Sequence, residues 1–162
     1  MRGGVLVRAG EAERLTRDPG SVITLLADAP HTGNVLTSNR SLLKAGSPGA
    51  PPHFHERSDE ILFMLGGELE VLLGEEIVTL NQGDLLIVPP YMPHAFAPAP
   101  GTDADVLFLF TPGPARFEYY RLLDRFHAGQ ATAEDIKAAQ EQYDNHHLLS
   151  APQWTDRHRQ TV

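Results

Sequence analysis

PPHFHERSDEILFMLGGELEV, residues 51–71, sets the terms for the whole chain. His53 and His55 stand one residue apart, ahead of Glu60 and an apolar run. In a β-strand, residues i and i+2 face the same side, about 6–7 Å apart along the chain. Two imidazoles so placed can converge on one ion with bonds of about 2.1 Å. Glu60, at the start of the next strand-like run, would add a hard, charge-neutralising oxygen. The alternative is two surface histidines in a proline-rich loop, so the rest of the chain has to decide.

The chain has 162 residues, 41% hydrophobic and 21% charged, which suits one globular domain with a real core. Its net charge of −8 disfavours nucleic acid and anionic membrane surfaces as partners. There are no cysteines. Disulfides, thiolate metal sites, Fe–S clusters and cysteine nucleophiles are excluded, and any metal must be held by His, Asp or Glu. MRGGVLVRAGEAERL at the N-terminus lacks the apolar length of a signal peptide, and no run approaches membrane-spanning length. A soluble, cytoplasmic protein is expected.

From Val5 to Thr111, short apolar or alternating runs recur between Gly, Pro, Asn and Asp punctuation. VITLLA (22–27), NVLTSNRSLL (34–43), EILFML (60–65), ELEVLL (68–73), EIVTL (76–80), DLLIVP (84–89), HAF (94–96) and DVLFLF (105–110) read as strands. Gly66-Gly67 reads as a separator between two of them, and DLLIVP as a buried strand. Such spacing indicates a sandwich or barrel rather than βαβ units. After Thr111, Pro114 suits a first helical position, and Tyr119, Leu122, Leu123 and Phe126 form one helical stripe ending near Gly129. Thr132 with Asp135 resembles a capping box for a second helix with a weak apolar face at Ile136, Ala139, Gln140 and Tyr143. The expected organisation is a β-barrel over residues 1–112, two helices over 113–148 and a tail over 149–162, all in one domain.

His94 lies in PPYMPHAF, where a chain returning along neighbouring strands could bring it beside His53 and His55. Three imidazoles and one carboxylate would leave one or two positions open on an octahedral metal. The spacings His53-x-His55-x4-Glu60-x6-Gly67 and Gly83-x5-Pro89-x4-His94 resemble the paired motifs of the cupin superfamily, over roughly residues 46–111. The resemblance implies a jelly-roll β-barrel, one divalent transition metal ion (Fe, Mn, Ni, Co, Cu or Zn) on His53, His55, Glu60 and His94, and a homodimer. The sequence departs from the pattern in three places: Gly46 and Gly49 are both offset from the leading glycine, Tyr91 replaces a glycine, and Pro98 replaces an asparagine.

Alternation places Leu62 and Met64 on the face of Glu60, and Phe96 on that of His94. With Tyr91, Phe108 and Phe110 they are candidates to contact a hydrophobic or aromatic small molecule, although core packing explains each one singly as well. Only Arg57, in a polar loop, is basic within the ligand-bearing segments, so a highly anionic substrate is disfavoured. His31, His127 and His158 read as turn, helix-end and tail residues. His146-His147 reads as a solvated helix terminus, since adjacent helical residues diverge by about 100° and make a poor ligand pair. Trp154 reads as an anchor for the tail, on this chain's surface or another subunit's.

The barrel with two following helices is most similar to the small quercetinase-like cupins. That likeness implies a dioxygenase acting on a phenolic or enolic substrate, with Glu60 as ligand and base. Two other readings are an oxygen-independent isomerase, lyase or polyketide cyclase on the same ligands, and a non-catalytic binding barrel.

Overall fold

The structure is a computed structural model describing residues 3–17 and 20–157. It is mainly β. The strands are β1 (Arg14–Arg17), β2 (Ser21–Ala27), β3 (Thr37–Leu43), β4 (Ala50–Phe54), β5 (Asp59–Leu73), β6 (Glu76–Asn81), β7 (Leu85–Val88), β8 (His94–Pro98), β9 (Ala104–Thr111) and β10 (His146–His147). Every pairing is antiparallel, in the order β1-β2-β3-β9-β5-β8-β4-β10, with β6 and β7 also on β5. The sheet curls into a jelly-roll half-barrel with its apolar faces inward.

Strand β5 organises the curl. EILFML and ELEVLL are one 15-residue strand, so Gly66-Gly67 is not a turn. Its first half pairs with β7 and β9, its second half with β6 and β8. Between Met64 and Gly66 the register against β9 slips by one residue. That bulge reverses the inward parity, with Glu60, Leu62 and Met64 buried before it and Leu69 and Val71 after it. Leu62, Met64, Leu69, Val71, Val106 and Phe108 meet in one core cluster, each burial worth roughly 1.5–3 kcal/mol. Gly67 permits the bend, because it has φ +71° and a Cβ there would lie 1.9 Å from the Asp103 carbonyl oxygen. DLLIVP is half on the surface, with Leu85 and Ile87 59% and 55% exposed. β7 pairs only with β5, and Leu86 and Val88 alone turn inward.

Of the helices, α1 (Ala29–Thr32) is one turn, α2 spans Phe117–His127, α3 Ala133–Tyr143, and α4 (Pro152–Thr155) is again one turn. Pro114 does not open α2, whose N-cap is Arg116. The Asp28 carboxylate accepts from the backbone N–H of Arg116 at 2.8 Å and of Phe117 at 3.4 Å, so the helix start is fixed by a residue distant in sequence. Tyr119 and Tyr120 are its buried residues, while Phe126 is 37% exposed, so the packed face is rotated from the expected stripe. The Thr132–Asp135 capping box on α3 forms as expected. Trp154 is buried against Leu72, Ala95 and Ala97 of its own barrel, with the Arg157 guanidinium 3.6 Å above its ring centroid. His158 lies outside the described residues. No helix among them is long and apolar enough to cross a membrane.

Gly67→Ala should cost at least about 2 kcal/mol in denaturant unfolding, because strain and a backbone clash coincide. Gly74→Ala, with φ +64° but nothing within 4 Å of the added Cβ, should cost about 1 kcal/mol. Equal losses would contradict the role given to the bend.

Candidate metal centre

β4 and β8 pair with His53 directly opposite His94. His55 follows the end of β4, and its carbonyl accepts the Tyr91 N–H at 2.6 Å. Glu60 stands on β5 opposite Phe110 of β9. Gly49 makes the close approach that leads into this region. Its φ is +64°, and a Cβ would lie 1.8 Å from the Phe96 carbonyl oxygen. The chain thus uses Gly49, not Gly46, where backbone crowding demands a glycine.

Each imidazole is oriented by a main-chain carbonyl: His53 Nδ1 donates to Pro51 at 2.8 Å, His94 Nδ1 to Met92 at 2.9 Å, and His55 Nδ1 to Asp144. A carbonyl only accepts, so all three Nδ1 atoms carry hydrogen and the Nε2 atoms face inward. Glu60 Oε2 lies 2.6 Å from His94 Nε2, 3.0 Å from His55 Nε2 and 4.0 Å from His53 Nε2. All four residues are 1–3% exposed. Lone pairs and a carboxylate meeting in so dry a place require a shared cation or added protons. The donor set of three neutral nitrogens and one carboxylate oxygen fits one divalent transition ion.

The electrostatics of the four groups agree with that requirement. Burial would push the Glu60 carboxyl up, but His94 and His55 beside it hold it well below the usual carboxylate range. Burial disfavours charge on His94, yet Glu60 overrides it and raises that pKa. Burial, with like charge on the neighbouring rings, drives His53 well down, and burial lowers His55.

A cavity of about 1000 Å³ opens onto His53 and Glu60. Phe96, Phe108 and Phe110 line it, with the first two ring centroids 4.8 Å apart. Leu62 and Met64 share the face of Glu60 but pack in the core and do not line the cavity. Tyr91 does not reach it either. It sits at φ +64°, 65% exposed, stacked on Phe54. That left-handed conformation accounts for the glycine usual at its place in the motif. A hollow of about 410 Å³ beside Val5 and Leu26 carries none of the ligands.

Several residues at the site escaped sequence reasoning. His146-His147 is not a helix terminus but strand β10, paired with Phe54 and His53 of β4. His147 lines the cavity. His146 instead groups with Glu56 and Glu141 away from the four ligands. Asp144, wholly buried, accepts the Glu56 and Arg57 N–H groups at 2.8 and 3.1 Å. Arg116 is 3% exposed, lines the cavity and lies 4.1 Å above the Phe110 ring centroid. Arg57 remains the basic residue of the ligand-bearing segments, but Arg116, from outside them, brings a second guanidinium to the cavity. Only the crossing of the C-terminal segment over the barrel brings Arg116 and Asp144 there, and no local pattern announces it.

Residues 39–111 match the family model of the cupin domain. No curated protein matches the chain. Among solved structures, KdgF from a Halomonas species is 27% identical with a TM-score of 0.57, covering 67% of this chain and 94% of its own. A predicted oxalate decarboxylase from Thermotoga maritima is 23% identical with a TM-score of 0.58, covering 66% and 98%. Streptomyces Pac13, a nucleoside dehydratase, is 19% identical with a TM-score of 0.55, covering 68% and 83%. The last two speak for the fold alone.

Because metal must displace the proton that Glu60 stabilises on His94, affinity for a divalent ion should fall as pH drops below the raised His94 pKa. The expected slope is about tenfold per pH unit for each proton displaced. Chelator competition across pH measures it, and a flat profile would contradict this protonation scheme.

Proposed function

We propose that this chain, which carries a cupin domain over residues 39–111, is a metal-dependent oxidoreductase. It acts as a dioxygenase on a small phenolic or enolic aromatic compound, in the manner of the quercetinase-like cupins. The observation that carries this reading is the convergence of three Nε2 atoms and Glu60 Oε2 at a cavity walled by phenylalanines. His53, His55, Glu60 and His94 would hold a redox-active Fe, Mn, Ni, Co or Cu ion, which would supply Lewis acidity toward a substrate oxygen and a route for electrons to O2.

The remaining work falls to the chain. Phe96, Phe108 and Phe110 receive the ring and keep water from it. Glu60 is ionised at neutral pH, and its carboxylate, ligand and base in turn, accepts the proton of the substrate hydroxyl. The His94 ring, its Nε2 committed as a ligand and its Nδ1–H donating to the Met92 carbonyl at 2.9 Å, takes no proton itself. Asp144 holds the His55 ring through its carbonyl, so the ligands stay aimed while the proton moves.

One observation favours a second reading. The buried Arg116 beside the cavity would stabilise an enolate without any oxidant. With Zn²⁺ on the same ligands, that suits an oxygen-independent isomerase, lyase or cyclase. Absence of turnover on every substrate would leave a binding barrel.

Metal-loaded protein given phenols and flavonols should consume O2 in step with substrate loss in an oxygen electrode. Glu60→Gln that keeps its metal should lose about 100-fold or more in turnover. Full turnover in that variant would remove Glu60 as the base. Equal product formation without O2 would move the assignment to the second reading.

A further inference from the structure

A buried guanidinium normally faces a carboxylate, since an unpaired charge in a dry place is costly. Arg116 does not. Its Nη1 donates to the Tyr143 carbonyl at 3.2 Å and its Nη2 to Asn145 Oδ1 at 3.0 Å, both neutral acceptors. Its buried Nε has no partner among the described residues. The Asp28 carboxylate, which accepts the Arg116 backbone N–H, is engaged with main-chain groups rather than with the guanidinium. Its partners, the Tyr143 carbonyl, Asn145 and the Tyr120 side chain, are all uncharged, so the positive charge meets no counter-charge among them.

The neighbourhood adds to the imbalance. Arg116 lines the same cavity as His53 and Glu60. With a divalent ion on three neutral imidazoles and one carboxylate, that centre carries net positive charge. Arg116 adds another, and Glu60 is already committed to the imidazoles. The missing element is an anion belonging to the ligand. The guanidinium carbon lies 4.1 Å from the Phe110 ring centroid, and a guanidinium held there brings a planar set of donors that suits a carboxylate.

We propose that the cavity selects an aromatic substrate bearing a carboxylate, which Arg116 binds while the ring lies among Phe96, Phe108 and Phe110 and a hydroxyl reaches toward Glu60. The substrate class is thus a small hydroxylated aromatic acid. This narrows the expected hydrophobic or aromatic ligand to one with an apolar body and one anionic end. This assignment rests on the proposed site being a substrate pocket, but Arg116 acts on the carboxylate whether or not metal is bound.

Calorimetric titration with 4-hydroxybenzoate and its neutral isostere 4-hydroxybenzamide tests it, on metal-loaded and on chelator-treated protein. The acid should bind at least about tenfold more tightly than the amide, and a preference should survive chelation. Arg116→Gln should abolish the preference, and Arg116→Lys should retain part of it. Three results would overturn the proposal: no preference in the unaltered protein, an undiminished preference in Arg116→Gln, or a preference that vanishes with the metal. The last assigns the anion to the ion and needs no variant to fold. A protein that takes up no metal yet prefers the acid would sink the oxidoreductase reading and leave the Arg116 assignment standing.

Discussion

Three Nδ1–H groups donating to three main-chain carbonyls are the constraint on which this molecule turns. They fix which nitrogen of each ring carries hydrogen, and so they aim three lone pairs at one point. Two of the carbonyls, from Pro51 and Met92, lie two residues before the ring they hold. Local backbone shape in the strand entries therefore orients His53 and His94. The third comes from Asp144, so the site is complete only when the helical segment has closed over the barrel. Four ionisable residues at 1–3% exposure are costly to bury unless their charges and lone pairs are satisfied together. A folded barrel that accepts this cost makes sense as a receptor for a cation.

The C-terminal segment is accordingly more than a cover. Asp144 caps the Glu56 and Arg57 N–H groups just beyond the ligand pair, while its carbonyl holds His55. Its φ of +53° at the end of α3 lets one residue do both, and β10 then joins the sheet beside β4. Arg116, at the other end of the two-helix unit, is tied to the same stretch through Tyr143 and Asn145. Movement of this segment would disturb the ligand geometry and the cavity wall at once.

How much of this could be read from the chain depends on the range of the interaction involved. His53 and His55 were legible because strand geometry alone puts i and i+2 on one face, and Glu60 because it opens a clean alternation through Leu62 and Met64. His94 needed the motif spacing, since its contact with His53 is a pairing across strands. Gly66-Gly67 misled because a bulge and a turn use the same residues, and only the parity change in burial between Met64 and Leu69 separates them. Tyr91 and DLLIVP show that alternation gives a face but not its depth or whether it has a neighbour. A two-residue strand such as His146-His147 has no periodicity to detect. Arg116 and Asp144 acquire their roles from partners dozens of residues away.

The claim underneath all of this is that the four convergent side chains hold one divalent transition ion. Elemental analysis of the purified protein beside His94→Ala tests it most directly. The account predicts about one ion per chain in the unaltered protein and loss of that ion in the variant, with both folded by circular dichroism. Absence of metal from both, even after reconstitution with each candidate ion, would contradict it.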